Sequence, residues 1–289
     1  PAGAPRLFAY PAQSNFSGVQ HPLAWIERAH SAGWDVLLDS AAYVPANRLD
    51  LARLKPDYVA LSFYKMFGYP TGIGCLIARL DAIAKLRRPW FAGGTITVAS
   101  VTADRYFLAQ GSAAFEDGTP DYLAIPGIEI GLEHLETAGL DRIHTRCRCL
   151  GAWLLEQLTS LRHSNRAPVI ELYGPSAFEQ RGATLAMNFL APDGEPVDHR
   201  AVEDAASRHR ISLRTGCFCN PGAGETALHI TGDELNGCFS AAGTRPVTLD
   251  DLRRCLGGPS GAVRVSLGIA TNFADVFRFM EFAQEFVED

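Results

Sequence analysis

The sequence has little of what membrane and nucleic-acid proteins need. No apolar run in its 289 residues approaches the ~20 residues of a membrane-spanning helix, and no repeat or low-complexity tract is present. Basic residues are not in excess, since 26 lysines and arginines stand against 32 aspartates and glutamates, a net charge of −6. Residues 1–5 also lack the basic and apolar regions of a signal peptide. We therefore expect no membrane and no nucleic-acid partner.

Seven cysteines, an odd number in a chain of this length, do not suggest a disulfide framework. A reducing, cytoplasmic setting is the expectation. Two Cys-x-Cys pairs, at 147/149 and 217/219, raise the question of a zinc site. Cys147 and Cys149 fall where apolar residues repeat at helical spacing, so their side chains should point apart. We expect no metal site, and buried apolar cysteines are the simpler interpretation.

The composition, 47% hydrophobic and 20% charged, is that of a globular protein with one large domain or two smaller ones. In the first third, strand-like and helix-like segments alternate, which indicates a parallel sheet with helices on its faces. Strands are predicted at residues 7–10, 35–39, 58–63 and 74–78, and a helix at 22–30.

Polar residues follow these predicted strands. They are Ser14 and Asn15, then Asp39, then Ser62 with Lys65. Ligands of open α/β sheets bind beyond the carboxyl ends of the strands, so we expect these side chains to line one cleft.

In the second half of the sequence, the predicted helices and strands follow a different order from those of the first third. This order predicts a separate α+β domain with a boundary near residue 140, so that residues 1–140 form the first domain and residues 141–289 the second. Helical patterns run from about residue 122 to 161, and further helices are predicted near 202–210, at 249–255 and at 273–287. Strands are predicted at 169–173, 184–190, 211–213 and 262–267.

Cys219 lies on a glycine-rich turn just after an arginine, in the run LRTGCFCN at 213–220. Nearby positive charge lowers the pKa of a thiol, which favours an exposed, reactive thiolate. The acid Asp39, the amine of Lys65 and this thiol together indicate an imine-forming cofactor and sulfur chemistry.

Five segments carry a family resemblance that spans nearly the whole chain in order. They are YPAQSNFSG at 10–18, LLDSAAYV at 37–44, SFYKMFGYPTG at 62–72, FEDGT at 115–119 and LRTGCFCNPG at 213–222. The chain resembles the fold-type I, pyridoxal-phosphate-dependent enzymes of the class V aminotransferase group, specifically the cysteine desulfurases. Among these it is most similar to the amino-terminal sulfurase domain of molybdenum cofactor sulfurases. The resemblance implies a mostly parallel α/β sheet with helices on both faces, lacking its amino-terminal part, and a smaller α+β domain.

The resemblance assigns cofactor contacts residue by residue. It implies that Lys65 binds the cofactor aldehyde, that Asp39 pairs with the pyridinium nitrogen and that Ser62 binds the phosphate. Asn15 would contact the substrate or the ring hydroxyl. Thr119 would reach the phosphate of a neighbouring subunit, which implies a homodimer. The residues alone leave simpler interpretations open: a solvated lysine, a strand-end capping aspartate and a turn-forming serine.

The resemblance also implies a reaction. Arg264 would hold the carboxylate of L-cysteine with its bidentate fork. Lys65 would remove the Cα proton, and the Cys219 thiolate would attack the substrate sulfur. Alanine then leaves, and Cys219 carries a persulfide to an acceptor, for which the molybdenum cofactor is a candidate. Cys217 is interpreted as a spectator.

The sequence departs from the family pattern at four places. Tyr64 stands where most desulfurases have histidine, and Ala42 where many relatives have glutamine. Gly224 stands where the sulfurases have a further cysteine. The phosphate-binding turn and ring-stacking residue that normally precede the strand near Leu7 are not in the sequence.

Two other functions remain as alternatives. The first is a class V aminotransferase, an epimerase or a Cβ–S lyase in which Cys219 is incidental. The second is a non-catalytic fragment or a sulfur-carrier partner.

Overall fold

The chain folds into two compact units that are interleaved in sequence. The computed structural model describes residues 5–258 and 260–288. Within these, residues 5–12 and 22–140 form the first unit, and residues 13–21 join those from 141 onward in the second. A short segment after the first strand therefore belongs to a different unit from its flanks, which the sequence did not reveal.

The first unit is built on a four-stranded sheet. Its strands are β1 (Leu7–Pro11), β2 (Asp35–Asp39), β3 (Tyr58–Ser62) and β4 (Gly74–Ala78), in that order across the sheet. The first three are parallel, as predicted. The fourth is antiparallel to β3, so the sheet is mostly parallel, as the resemblance implied, and not entirely parallel, as the alternation of strands and helices indicated. Residues 63–73, which connect the two strands, are too few for a crossover between parallel strands.

Helices and a hairpin complete the first unit. Helix α1 confirms the helix expected near residues 22–30, and its Ile26 is buried in one apolar cluster with Tyr10, Val36 and Leu38 of the sheet. The helices are α1 (Trp25–Ser31), α2 (Leu51–Leu54), α3 (Phe63–Phe67), α4 (Leu80–Ile83) and α5 (Pro126–Ala138). A hairpin of β5 (Ile96–Ser100) and β6 (Arg105–Leu108) and a 3-10 helix, Gly111–Phe115, were not predicted.

The second unit contains an antiparallel sheet. Its strands are β7 (Ile170–Tyr173), β8 (Thr184–Phe189), β9 (Arg214–Gly216) and β10 (Ala262–Ser266), arranged β7-β8-β10-β9. Three of the four predicted strands are confirmed to within a residue or two. The strand predicted at 211–213 is wrong, because Ile211 and Leu213 pack against the apolar core instead of entering a ladder.

Six helices accompany this sheet in the residues described. They are α6 (Leu140–Ser160), α7 (His199–Arg208), α8 (Pro221–Ala227), α9 (Gly232–Ala242), α10 (Leu249–Leu256) and α11 (Phe273–Gln284). The core joins α6, α7 and α11 to the sheet through residues such as Leu154, Val202 and Phe282. On α6, Cys147 is buried and Cys149 is exposed, so the pair points apart as expected. None of the described helices is both long and apolar enough to cross a membrane.

One disulfide departs from the expectation of free cysteines. Cys238 of α9 and Cys255 of α10 are bonded, and the two helices bring their Cα atoms to 5.8 Å. This separation lies within the reach of a disulfide. The spacing of cysteines in the sequence did not reveal it, because it depends on how α9 and α10 pack.

Residues 13–21 are joined to the second unit by backbone pairing. The Gln20 amide donates to the Gln180 carbonyl at 2.9 Å, and the Gly182 amide donates to the Gly18 carbonyl at 2.8 Å. Gly18 has a φ of 75°, and a Cβ there would clash with the carbonyl oxygen of Thr184. Only glycine allows this close approach of two backbones.

Candidate functional site

In the first unit, polar residues meet at one edge of the sheet. Asp39 is the last residue of β2 and Ser62 the last of β3, and these strands are parallel neighbours. Asp39 pairs in register with Ala60, so Ser62 extends two positions further. The predicted convergence of these two residues at the carboxyl ends of the strands is confirmed.

Both side chains have hydrogen-bonding capacity to spare. Asp39 is exposed, and its Oδ1 accepts from the Ala41 amide at 3.0 Å, while Oδ2 accepts from no residue that the structure describes. Ser62 is half-buried, and its hydroxyl makes no hydrogen bond within the described chain. Asp39 thus does cap a strand end, yet one carboxylate oxygen and a neighbouring hydroxyl can still engage a ligand.

Lys65 follows this edge on helix α3 and is exposed, with its Nζ 6.0 Å from the centroid of the Tyr64 ring. This exposure agrees with the solvated lysine that the residues alone left open. Phe63 and Phe67 lie four positions apart and share one helix face, where their rings stack at 6.2 Å. Lys65 lies two positions from each, so its amine points away from them.

Thr119 lies on an exposed loop of the same unit. The turn before it is fixed by the Gly118 amide, which donates to the Gly93 carbonyl at 2.8 Å. Arg88 forms an ion pair with Asp117 of this turn. The Thr119 hydroxyl is thus presented to solvent by an ordered turn.

In the second unit, Cys219 lies on the loop between β9 and α8. The Cys219 side chain is exposed, as predicted, and so is that of Cys217. Phe218, between them, is buried and packs against Phe16 at 5.2 Å between ring centroids. Phe218 and Cys219 both adopt left-handed backbone conformations, with φ of 55° and 59°. The loop therefore buries one side chain and turns both thiols outward.

Asn15 is tied to this loop through its carboxamide. Its Nδ2 donates to the Phe218 carbonyl at 2.6 Å, and its Oδ1 accepts from Asn220 Nδ2 at 3.3 Å. The two partners flank Cys219 in the sequence. The Asn15 side chain therefore contacts the residues on both sides of Cys219.

Arg264, on β10, contacts both Asn15 and Phe218. Its Nη1 donates to the backbone carbonyl of Asn15 at 2.5 Å, and its guanidinium carbon lies 4.6 Å from the centroid of the Phe218 ring. This stacking orients the planar cation. The structure thus brings together Cys219, Asn15 and Arg264, three of the predicted site residues.

Two residues that organise this loop were not singled out from the sequence. Phe218 holds the loop in place through its buried ring, which packs against Phe16. Asn220 caps helix α8, since its Oδ1 accepts from the Ala223 amide at 3.3 Å. The signal for Asn220 was present, because asparagine followed by proline is typical of a helix start.

The predicted site residues are divided between the units. Backbone pairing places residues 13–21, and with them Ser14 and Asn15, in the second unit, while the shared cleft expected for these residues stays a prediction. The first unit contains Asp39, Ser62, Lys65 and Thr119, and the second contains Asn15, Cys219 and Arg264.

Comparisons with known proteins agree on one family. The family model described as aminotransferase class-V matches residues 2–279. The chain is 40% identical to a molybdenum cofactor sulfurase from Bos taurus and 39% identical to one from Homo sapiens, over 98% and 96% of its length. It spans only 33% of the length of each of these relatives.

Solved structures show the same fold. A cysteine desulfurase from Thermococcus onnurineus, solved in its apo form, has a TM-score of 0.73 and 24% identity, covering 98% of this chain and 60% of that one. A cysteine desulfurase from Escherichia coli has a TM-score of 0.71 and 22% identity, covering 97% and 59%. These likenesses confirm the fold-type I assignment.

Proposed function

Because this chain belongs to the aminotransferase class-V family, we propose that it is part of a pyridoxal-phosphate-dependent cysteine desulfurase. It would convert L-cysteine to L-alanine and leave the sulfur as a persulfide on Cys219. The observation that carries the proposal is the exposed Cys219 thiol on a loop that Asn15 fastens beside Arg264.

The residues of the first unit fit the cofactor. The edge formed by β2 and β3 offers a carboxylate for a pyridinium nitrogen and an unengaged hydroxyl for a phosphate, at Asp39 and Ser62. Lys65 offers an exposed primary amine for the aldehyde. When bound, the cofactor supplies an electron sink that acidifies the substrate Cα–H bond.

The protein groups then have distinct tasks. The Arg264 guanidinium, oriented by Phe218, binds the substrate carboxylate. The Lys65 Nζ takes the proton from Cα. The Cys219 thiolate attacks the substrate sulfur, so that an S–S bond forms while the Cβ–S bond breaks and its electron pair stays with the substrate carbons. Cβ then takes up a proton, and the Lys65 Nζ returns its proton to Cα. Alanine and the Cys219 persulfide are the products.

The sulfur acceptor and the assembly are further parts of the proposal. The names of the two sulfurase relatives favour the molybdenum cofactor as the acceptor. We propose a homodimer in which Thr119 meets the cofactor phosphate of the other subunit, and the exposed turn at Thr119 supports this assembly. A cytoplasmic location is part of the same proposal. Apolar side chains of the same unit, Leu123 and Ile130, are 82% and 69% exposed.

An absorbance spectrum and a product assay test the function together. After addition of pyridoxal phosphate, we expect a band at ~420 nm from the cofactor bound covalently to Lys65, and its loss in Lys65→Ala. We also expect alanine formation from L-cysteine, abolished in Cys219→Ala while the band remains. Cys217→Ala is the matched control and should retain both.

The outcomes separate the alternatives. If Cys219→Ala still forms product at the wild-type rate, the thiol is incidental and the desulfurase proposal fails. If wild type shows no band with the cofactor, a non-catalytic role is favoured instead.

A further inference from the structure

The loop at residues 217–220, here called the thiol loop, holds Cys219 in a conformation that needs support. Two successive residues, Phe218 and Cys219, lie in the left-handed region, and neither is glycine. Residues other than glycine adopt this region at a cost in free energy, so such a pair persists only where surrounding contacts hold it.

The Asn15 carboxamide supplies contacts on both sides of the thiol. It donates to the carbonyl of Phe218 at 2.6 Å and accepts from the side chain of Asn220 at 3.3 Å. The Nδ2 and the Oδ1 of Asn15 are thus both hydrogen-bonded to residues adjacent to Cys219. An amide is well suited to this position, because it offers a donor and an acceptor at once.

Phe218 extends the same arrangement to Arg264. Its ring is buried between Phe16 and the Arg264 guanidinium, with centroid distances of 5.2 and 4.6 Å. Arg264 in turn donates to the Asn15 backbone carbonyl at 2.5 Å. The thiol loop, Asn15 and Arg264 therefore form one connected set of contacts within the second unit.

We propose that Asn15 is a positioning residue that latches the thiol loop and thereby sets where the Cys219 sulfur stands. This inference rests on the proposed desulfurase function, and it differs from the substrate or ring contact that family resemblance implied for Asn15. Breaking the latch frees the loop to leave its left-handed conformation. Attack by Cys219 then slows even where substrate still binds.

Two variants remove hydrogen bonds between Asn15 and the thiol loop, one by changing Asn15 and the other by changing the loop residue Asn220. Asn15→Ala removes both side-chain bonds to the loop. Asn220→Asp removes the donor to Asn15 but keeps an acceptor for the Ala223 amide, so helix α8 retains its cap. Asn165→Ala is the matched control, since Asn165 is an exposed asparagine of the same unit whose side chain also makes two hydrogen bonds.

Steady-state alanine formation distinguishes positioning from substrate binding. For both latch variants we expect kcat to fall about tenfold or more, while KM stays within about twofold of wild type. The control should match wild type in both constants. A rise in KM at unchanged kcat would make Asn15 a substrate contact and overturn the latch, as would wild-type kinetics in Asn220→Asp.

Hydrogen exchange supplies a readout that needs neither cofactor nor turnover. The Asn220 amide donates to the Cys217 carbonyl at 3.0 Å, so its exchange reports on the closed loop. Loss of the latch should speed exchange in a peptide covering 217–220 by about fivefold, while a peptide from the buried strand β8 is unchanged. Unchanged exchange in the thiol loop would refute the latch. If wild type makes no alanine, the desulfurase proposal fails, and exchange alone decides whether Asn15 holds the loop.

Discussion

Arg181 is a buried cation whose hydrogen bonds all go to backbone carbonyls. Only 2% of it is exposed, and it donates to the carbonyls of Pro175, Thr184 and Tyr173 at 2.8, 3.0 and 2.8 Å. Burial lowers the pKa of the guanidinium to about 10, so it stays charged at neutral pH. One side chain thus links residues 173–175 to the start of β8, beside the point where residues 13–21 pair.

Replacing Arg181 with methionine should destabilise the second unit by about 3 kcal/mol or more. The three carbonyls lose a charged donor, and methionine cannot replace it. Urea unfolding measures the effect, with Arg208→Met, an exposed arginine of α7, as the control. A loss of less than about 1 kcal/mol in the free energy of unfolding would mean that water hydrogen-bonds to the three carbonyls in place of the guanidinium.

At the scale of elements, α9 and α10 depend on a covalent link. Each is capped by its own residues, with capping boxes at Thr231 and Glu234 and at Thr248 and Asp251. The Cys238–Cys255 disulfide joins them across 17 positions of sequence. Local caps stabilise each helix, and the disulfide holds the pair together.

Thiol titration tests this link directly. In unfolded, unreduced protein we expect five reactive thiols, and seven after reduction. Closing a loop of this length should stabilise the unit by about 3 kcal/mol, which Cys255→Ser would lose. Cys149→Ser, on α6, is the control, with no stability loss expected. Seven thiols before reduction would contradict the disulfide.

The elements that sequence patterns predicted are those with a local apolar run. Strands β2 and β4 were found at their predicted residues, because a short continuous apolar run is typical of a strand. Burial did not follow for β4, where Leu76 and Ile77 are exposed. Strand β9 was not, since Arg214–Gly216 is polar and becomes a strand only through pairing with β10. The direction of β4 likewise follows from its connection and not from its composition.

The site was predictable as residue types but not as an arrangement. Chemistry and family resemblance pointed to Asp39, Lys65 and Cys219, and the structure places all three on accessible surface. The contacts of Asn15 with Phe218 and Asn220 join residues about 200 positions apart, and no periodicity encodes such a contact. The same holds for the membership of residues 13–21 in the second unit.

At the scale of the whole molecule, this segment makes the second unit discontinuous. Phe16, 1% exposed, fills an apolar cluster with Tyr173, Ala186, Phe218 and Ala262. A chain that begins at residue 141 would lack Phe16 and would leave Gly182 without its pairing to Gly18.

We therefore expect a fragment of residues 141–289 to unfold at a lower urea concentration than the second unit of the full chain. Phe16→Ala in the full chain should itself cost about 3–5 kcal/mol, because it leaves a cavity behind the thiol loop. Phe277→Ala, at a half-exposed site on α11, is the control and should cost far less. A synthetic peptide of residues 13–21 should raise the midpoint of the fragment, since it binds only the folded state. An unshifted midpoint in the fragment would show that the unit is complete without these residues.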